Sequence, residues 1–503
     1  TVSGTVDVDG ATTTDGITNA GNFSTDSGTI KLDGNYPTGS GNVALGDTAL
    51  DDGSLSGNNN TAVGSGALTA NTSGAENTAV GMQSLDANTT GGSNTAIGVN
   101  ALTSNTTASN NTAVGRDASQ NNTTGNSNAA FGYSAMAANT TASDNTALGY
   151  LAMQDNTTGA SNTAVGAAAL GDNTTADNNT AVGRSALRVN TTGAGNTAVG
   201  ALASDANTTA ANTAAFGTAA LSSNTTADGG TAIGSNALTA NTTGANNTAV
   251  GFLALGANTT GQENTVVGKS AGAANTTGRN NVAIGYETFL SNTTGQDNTA
   301  LGYESLRTNT KGSYNTGVGE ASLRSLFHST SAGGEASYNT AVGKDAMQNA
   351  TSADNCTAIG YNSGADAVLN ITTESNRLVL GNNGVTNAYI KVSLTVTSDQ
   401  RDKTDIEDLT QGLSFVNQLR PVSFKFNKSR EEPTVAVGNK RYGFLAQEVL
   451  ALEGSDPVII DNENTENLKY QGEALVPVLV KAVQELKAEL DAAKVRIAAL
   501  EAE

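Results

Sequence analysis

A serine and a lysine five residues apart, in the segment Ser398-Asp-Gln-Arg-Asp-Lys403, are the side chains of this sequence best suited to covalent chemistry. A serine hydroxyl is a weak nucleophile until a base takes its proton, and a partly desolvated lysine can be that base near neutral pH. A simpler interpretation exists: Ser398 and Asp399 could cap a following helix, while Lys403 carries a solvated charge. The segment alone leaves both interpretations open.

Other residue types that support catalysis or metal binding are scarce. Cys356 is the only cysteine and His328 the only histidine among the 503 residues. One cysteine allows no intrachain disulfide and no thiolate metal cluster, and one histidine nearly excludes a Ser-His-Asp triad. We therefore expect no bound metal, no cofactor and no enzyme with repeated turnover. At most, the chain cleaves itself once.

The composition and charge restrict the class of protein and its partners. Aromatic residues make up only 4% of the chain and tryptophan is absent, so the sequence suits the thin interior of a solenoid rather than a thick core. The net charge of −21 argues against nucleic acid and against an anionic membrane surface as partners. No signal peptide or transmembrane helix is evident. The sequence begins at Thr1 rather than Met, so we expect further sequence upstream.

A repeat of 17 residues occupies most of the chain. Its unit reads Asn-Thr-Ala-Val-Gly, two variable residues, Ala-Leu, two more, then Asn-Thr-Thr-Gly and a short polar link, and its glycine recurs in register from Gly64 to Gly319. This length suits one coil of a β-solenoid, with strands from Thr-Ala-Val and from the Ala-Leu segment. Glycine and Asn-Thr-Thr-Gly would form the two turns. Equivalent asparagines would stack as hydrogen-bonded ladders.

Three features of the array admit a functional and a structural explanation. The Asn-Thr-Thr triplets match the N-glycosylation signal, but their fixed spacing favours turn geometry. The scattered aspartates do not form a calcium-binding repeat. The irregular segment Ala321–Tyr338, which contains His328, is either a receptor-contacting loop or a tolerated insertion. We favour the insertion.

The motif Asn-Thr-Ala-Val-Gly-x-x-Ala-Leu resembles the head repeat of trimeric autotransporter adhesins. The resemblance covers roughly 42–364 and implies a left-handed parallel β-roll in which three chains share one core. A single column of coils filled by alanine and valine buries little apolar surface, which also favours chains packed about a common axis. The family unit is usually shorter, so the polar link here would form a longer surface loop.

The regions that flank the array differ from it. Residues 1–41 are rich in Gly, Thr and Asp and are expected to form a β-rich connector, and period-2 runs within 365–397 indicate a β-rich neck. Aromatic, proline and charged residues then return. They predict a small α+β domain over 398–475, which includes a helix over 406–419 ended by Pro421.

A strict heptad pattern occupies 476–503. Four heptads of this kind indicate a coiled coil rather than an isolated amphipathic helix. The residues do not fix the number of strands, but a trimer would match the shaft. The apolar positions are Val476, Val483, Leu490 and Ile497 at a, and Leu479, Leu486, Ala493 and Leu500 at d.

The segment Ser398-Asp-x-Arg-x-Lys403, the later run Tyr442-Gly-Phe-Leu-Ala-Gln-Glu and the terminal heptads together resemble the intramolecular chaperone domain of endosialidases and phage tail fibres. The resemblance covers about 398–503. It implies a domain that trimerises, aligns three chains so that the upstream β-structure can wind, and then cuts itself off. The scissile bond would join Thr397 to Ser398. Ser398 would be the nucleophile and Lys403 its base, with Asp399 and Arg401 ordering the segment.

These features together predict a mainly β protein: the tail fibre or spike of a bacteriophage, assembled as a homotrimer in the host cytoplasm and located in the virion tail. Its N-terminal side would join other tail proteins, and its surface would adhere to a host receptor, either a glycan or an outer-membrane component. A bacterial trimeric surface adhesin is an alternative, although heptads stand here where such adhesins carry a membrane anchor. A glycan-degrading tailspike is a weaker alternative, because no segment forms an enzyme domain.

Overall fold

The computed structural model of the chain describes residues 39–327, 336–366, 369–385, 389, 398–427, 434–455, 457–462, 465 and 468–502. The chain divides into two compact units, one formed by 1–304 with 308–311 and the other by 305–307 with 312–503. Residues 1–38 of the expected N-terminal connector and residues 367–368, 386–388 and 390–397 of the expected neck lie outside the described residues.

The described part of the first unit is a parallel β-solenoid with one three-residue strand in each coil. Neighbouring strands pair in register, for example Thr78 with Thr95 and Val80 with Ile97, so that equivalent residues of successive coils lie above one another. The mainly β fold is therefore confirmed. The strands are β1 (Val43–Leu45), β2 (Thr61–Val63), β3 (Thr78–Val80), β4 (Thr95–Ile97), β5 (Thr112–Val114), β6 (Ala129–Phe131), β7 (Thr146–Leu148), β8 (Thr163–Val165), β9 (Thr180–Val182), β10 (Thr197–Val199), β11 (Ala214–Phe216), β12 (Thr231–Ile233), β13 (Thr248–Val250), β14 (Thr265–Val267), β15 (Val282–Ile284) and β16 (Thr299–Leu301).

The prediction of a second strand from the Ala-Leu segment is wrong. This segment forms a turn in which the leucine has a left-handed backbone, with φ of 51° at Leu102, and both Ala101 and Leu102 are fully buried. A positive φ lies outside the β region of the backbone, so Leu102 cannot belong to a strand. The left-handed conformation costs roughly 1–2 kcal/mol, while burial of a leucine contributes about 1.5–3 kcal/mol. Burial therefore offsets the strain.

The glycine that follows each strand is required by the close approach of successive coils. Gly98 has a φ of 140°, and a Cβ atom there would lie 2.4 Å from the carbonyl oxygen of Gly115 in the next coil. Any side chain at this corner would force two coils apart. The corner glycine predicted from the repeat is confirmed.

Two rows of buried asparagines connect the coils, as the repeat predicted. In the row before the strands, Asn77 donates from Nδ2 to the carbonyl oxygen of Gly91 at 2.9 Å. Its Oδ1 accepts the backbone N–H of Asn94 at 3.0 Å. In the row of the Asn-Thr-Thr triplets, Asn88 donates from Nδ2 to Oδ1 of Asn71 at 2.9 Å and to Gly91 at 3.0 Å. These asparagines are buried and their side-chain amides are hydrogen-bonded within the solenoid, so the Asn-Thr-Thr triplets are turns.

The second unit contains coils of the same kind. Its parallel strands are β17 (Thr316–Val318), β18 (Thr340–Val342), β19 (Thr357–Ile359) and β20 (Leu378–Leu380). Thr316 pairs with Thr340, so the longer spacing between these strands leaves their register intact. Residues 328–335 of the irregular segment Ala321–Tyr338, including His328, lie outside the described residues, so the tolerated insertion stays a prediction.

A small α+β region follows in the second unit. Its helices are α1 (Leu413–Val416), α2 (Ala446–Glu453) and α3 (Leu475–Glu501), with 3₁₀ turns at Gln400–Asp402 and Gly472–Ala474. Its strands are β21 (Val422–Asn427), which pairs antiparallel with β22 (Ala436–Gly443), and β23 (Ile460–Asp461), which pairs antiparallel with β24 (Lys469–Tyr470). The core consists of Phe415, Val449, Ile459, Ile460, Leu475 and Val478.

The helix predicted over 406–419 is wrong over most of its length, because only Leu413–Val416 is helical. Ile406 and Leu409 remain 64% and 38% exposed. A short helix is stable mainly through burial of an apolar face, and within one chain these residues have no such burial. The first turn of α1 is instead held by α3, since Oε2 of Glu485 accepts the backbone N–H of Leu413 at 2.7 Å.

The terminal helix predicted from the heptads is present as α3, and it packs through a different face from the heptad face. Its buried residues are Leu475, Val478 and Ala482. The heptad positions remain open in the single chain, with Val483 65% and Ile497 54% exposed. The helix therefore carries an apolar stripe that its own domain does not cover.

We expect Asn173→Ala to destabilise the solenoid by about 1–3 kcal/mol, because it leaves buried polar partners without hydrogen bonds. Asn173 donates to Oδ1 of Asn156 at 2.8 Å and accepts from Nδ2 of Asn190 at 3.0 Å. The measurement is the free energy of unfolding in guanidinium chloride. The control is Thr175→Ala, an exposed residue of the same turn. Equal stability of the two variants would contradict a structural role for the ladder.

Candidate functional site

A tight turn brings together the two ends of the segment that begins at Ser398. The 3₁₀ helix Gln400–Asp402 reverses the chain, and Asp399 caps it by accepting the backbone N–H of Arg401 at 2.9 Å. The backbone N–H of Lys403 then closes the turn on the carbonyl of Gln400 at 3.2 Å. The side chains of Ser398 and Lys403 consequently lie on the same side of the turn.

Ser398 and Lys403 are in direct contact. Nζ of Lys403 donates to Oγ of Ser398 at 2.7 Å and to the carbonyl oxygen of Ser398 at 3.3 Å. This is the contact that a serine nucleophile and a lysine base require. The helix-capping interpretation is also met in part, but Asp399 provides the cap. Thr397, on the other side of the expected scissile bond, lies outside the described residues.

Asp399 and Arg401 contact each other rather than the serine or the lysine. Nε of Arg401 lies 3.0 Å from Oδ1 of Asp399, and Nη2 lies 2.6 Å from Oδ2. The hydrogen bonds from the Arg401 side chain and backbone hold the pKa of the Asp399 carboxyl below its ordinary value. The carboxylate is thereby kept charged and oriented as the cap of the turn.

Ser398, Asp399, Arg401 and Lys403 are all exposed to solvent in the single chain. A lysine acts as a base only when its unprotonated form is favoured, and removal of water from around the amine is one physical cause of this. One chain therefore supplies the contact between the two groups without the dry environment.

Hydrogen bonds and ion pairs of carboxylates that the sequence analysis did not identify stabilise the domain that follows the turn. Glu453, at the end of α2, accepts the backbone N–H groups of Val458 and Ile460 at 2.8 and 2.9 Å. Glu448 binds Arg420 in an ion pair, with Nε and Oε2 3.0 Å apart. Glu485 is separated from its partner Leu413 by 72 residues. No local pattern reveals a contact of this kind.

The described residues offer little support for other chemistry. They contain no group of three or more His, Cys, Asp or Glu side chains that could hold a metal ion. No helix within the described ranges is long and apolar enough to cross a membrane. Cys356 takes an asparagine position in the ladder, where its Sγ donates to the carbonyl oxygens of Asp354 and Glu374. Burial raises the pKa of this thiol.

Residues 398–455 match the family described as chaperone of endosialidase. No curated protein matches the chain. The family match begins at Ser398 and covers the turn, α1, β21, β22 and α2. The chain thus carries a chaperone-of-endosialidase domain that follows a β-solenoid, an organisation that fits proteins of the tail-fibre and endosialidase type.

Proposed function

We propose that the chain forms the shaft and the folding domain of a bacteriophage tail fibre or spike. The observation that carries this proposal is the chaperone-of-endosialidase domain at residues 398–455, on the C-terminal side of a parallel solenoid. Its N-terminal side would join other proteins of the virion tail, and its surface would adhere to a receptor on the host cell, a glycan or an outer-membrane component. Assembly would take place in the host cytoplasm.

The active form is a homotrimer. Support comes from α3, whose heptad residues are open to solvent in one chain while its other face packs on the domain core. Val476, Leu486 and Leu490 are at least 50% exposed, which is costly in water and is relieved when a helical partner covers them. Mixed residues at the a and d positions allow three strands. Three helices would then form a terminal coiled coil.

A repetitive shaft requires such a domain for a physical reason. When every coil has the same length and nearly the same residues, a partner displaced by 17 residues satisfies most of the same contacts. A domain with a non-repetitive sequence has one alignment only. If this domain associates first, it fixes the alignment before the coils stack.

The same domain removes itself by a single cleavage between Thr397 and Ser398. Lys403 takes the proton of the Ser398 hydroxyl, and Oγ attacks the carbonyl carbon of Thr397, which proximity within one chain favours. The amide nitrogen of Ser398 leaves with that proton, so an ester joins the two residues. Water hydrolyses the ester, which leaves a carboxylate on Thr397 and restores the hydroxyl of Ser398.

Cleavage depends on assembly, because the turn is exposed in one chain. A neighbouring chain that covers Lys403 would remove water from the amine and favour its unprotonated form. The cut would then follow alignment of the three chains. Once the domain that aligns the chains has been cut off, the folding of the shaft can no longer be reversed and repeated. The folded shaft is then kinetically stable.

Ser398→Ala and Lys403→Arg should each abolish cleavage and leave the trimer intact. The first removes the nucleophile, while the second keeps the positive charge and the hydrogen bond but cannot lose a proton. Intact mass spectrometry of the purified protein reports the cut. Ser423→Ala and Lys425→Arg, which alter exposed residues of β21, are matched controls and should cleave as the unchanged protein does. Cleavage of the Lys403→Arg variant would refute the assignment of the base.

Deletion of 398–503 before expression should give insoluble or misaligned shaft, because the coils lose the part that aligns them. The readouts are solubility, sedimentation and resistance to protease. The matched control is the Ser398→Ala chain, which keeps the domain attached and should yield soluble trimers. Soluble, protease-resistant trimers from the deleted chain would contradict the chaperone role.

A further inference from the structure

Two pairs of tyrosines lie on the surface of the first unit, each at the position that directly follows a corner glycine. Tyr133 stacks on Tyr150 of the next coil with ring centroids 5.6 Å apart, and Tyr286 stacks on Tyr303 with centroids 5.5 Å apart. All four side chains remain exposed, from 40% at Tyr286 to 58% at Tyr150. Each of these tyrosine pairs therefore presents two aromatic rings and two hydroxyl groups to solvent in the single chain.

The solenoid itself does not require these rings. In other coils the position after the corner glycine holds small residues, such as Ala167, Ala201, Thr218 and Ser235. Coils with these residues stack in the same register as the coils that carry tyrosine. The tyrosines are thus an addition to the repeat, and exposed aromatic groups of this kind are typical of binding surfaces.

A basic residue accompanies each tyrosine pair at the same place. Arg116 comes one coil before Tyr133, and Lys269 comes one coil before Tyr286, so the same arrangement recurs after nine coils. Nζ of Lys269 lies 5.6 Å from the ring centroid of Tyr286. A cation over an aromatic face is attracted by the negative potential of the ring, and it helps to hold the ring in place.

A carboxylate also lies beside each pair. Oδ2 of Asp117 lies 3.2 Å from Nε of Arg116. The hydroxyl of Tyr286 donates a hydrogen bond to the carboxylate of Glu287, which raises the pKa of Tyr286. Phenol hydroxyls, cations and carboxylates together provide both donors and acceptors at the edge of the rings. Such a set suits a ligand that is rich in hydroxyl groups.

The area of a tyrosine pair restricts the class of ligand. A tyrosine side chain can bury roughly 150–250 Å², so two half-exposed rings offer about 200 Å². A stable protein partner needs about 800 Å² on each side. Copies of this chain packed side by side along the shaft would meet at every coil, whereas each pair occupies only two neighbouring coils. The pairs therefore suit a small, flat ligand surface rather than a protein.

A sugar ring has such a surface. Its C–H groups form an apolar face that stacks on the electron-rich face of an aromatic ring, while its hydroxyl groups remain free for hydrogen bonds at the edge. The net charge of −21 disfavours polyanionic ligands, including nucleic acid and acidic polysaccharides. We propose that the tyrosine pairs bind a neutral glycan chain built from hexoses. The proposal rests on the host adhesion proposed above and assigns the residues of its glycan contact.

The two pairs can act on one glycan chain. They occupy the same column of the solenoid nine coils apart, which at about 4.8 Å for each coil is roughly 43 Å. A polysaccharide longer than this distance can contact both pairs of one chain at once. Each contact alone is weak because its area is small, but linked contacts raise the overall affinity.

Binding of the full-length protein to immobilised dextran, mannan and galactan, measured by surface plasmon resonance, tests the proposal. We expect at least one of these neutral polymers to bind. Replacement of one pair, by Tyr133→Ala with Tyr150→Ala, should reduce the affinity for that polymer about tenfold or more, because linked binding is lost. Replacement of both pairs should abolish binding. Alanine already occupies the same position at Ala167, so we expect these variants to fold, and circular dichroism checks this.

Tyr361→Ala is the matched control. Tyr361 also follows a corner glycine and is 63% exposed, but the preceding coil carries Lys344 rather than a tyrosine at this position. This variant should bind as the unchanged protein does. The unchanged protein failing to bind all three polymers, or full binding by the variant that lacks both pairs, would overturn the proposal. Binding to polygalacturonate but to none of the neutral polymers would refute the neutral glycan.

The failure of this inference differs from the failure of the proposed function. A protein that sediments as a trimer but binds none of the three polymers refutes the glycan site and leaves the proposed shaft and folding domain in place. A folded monomer that binds a polymer through the tyrosine pairs refutes the trimeric fibre and leaves the glycan site in place.

Discussion

The structure depends on one constraint, the stacking of successive coils in register at the spacing of paired β-strands. Because equivalent residues lie above one another, each position of the repeat becomes a column with a single environment. The corner glycine must lack a side chain, as Gly98 shows, and the asparagine rows must satisfy their buried amides through the next coil. Small alanines fill the thin interior. The regularity that makes the repeat easy to recognise is thus imposed by backbone contact from coil to coil.

The same constraint explains the need for a separate folding domain. Columns of identical residues specify the distance between coils but barely specify which coil meets which. The α+β region at the C-terminal side has the properties that the coils lack: a core of mixed residues around Phe415 and Val449, and long-range contacts such as that between Glu485 and Leu413. The chain therefore combines a solenoid whose coils can pair in several registers with a domain whose contacts allow only one register.

Much of this organisation could be predicted from the sequence because it follows from period and from local chemistry. The 17-residue spacing gave the solenoid, the asparagine ladders and the corner glycine, and the heptads gave α3. The approach of Lys403 to Ser398 follows from a short turn. The prediction failed where burial decides the backbone conformation. Ala101 and Leu102 are both buried by a turn in which Leu102 is left-handed, and Ile406 and Leu409 have helical spacing without a surface to bury them. Contacts across 72 residues, such as that of Glu485, leave no local signal.

Apolar residues of the heptad helix, of the 406–409 segment and of the sheet face are exposed in the single chain, and we propose that two further copies of the chain cover them. Sedimentation equilibrium of the full-length protein tests this most directly. We predict a mass three times that of the 50.3 kDa chain. If cleavage is complete, we predict a mass three times that of the shaft fragment. A stable, folded monomer at micromolar concentration would contradict the account.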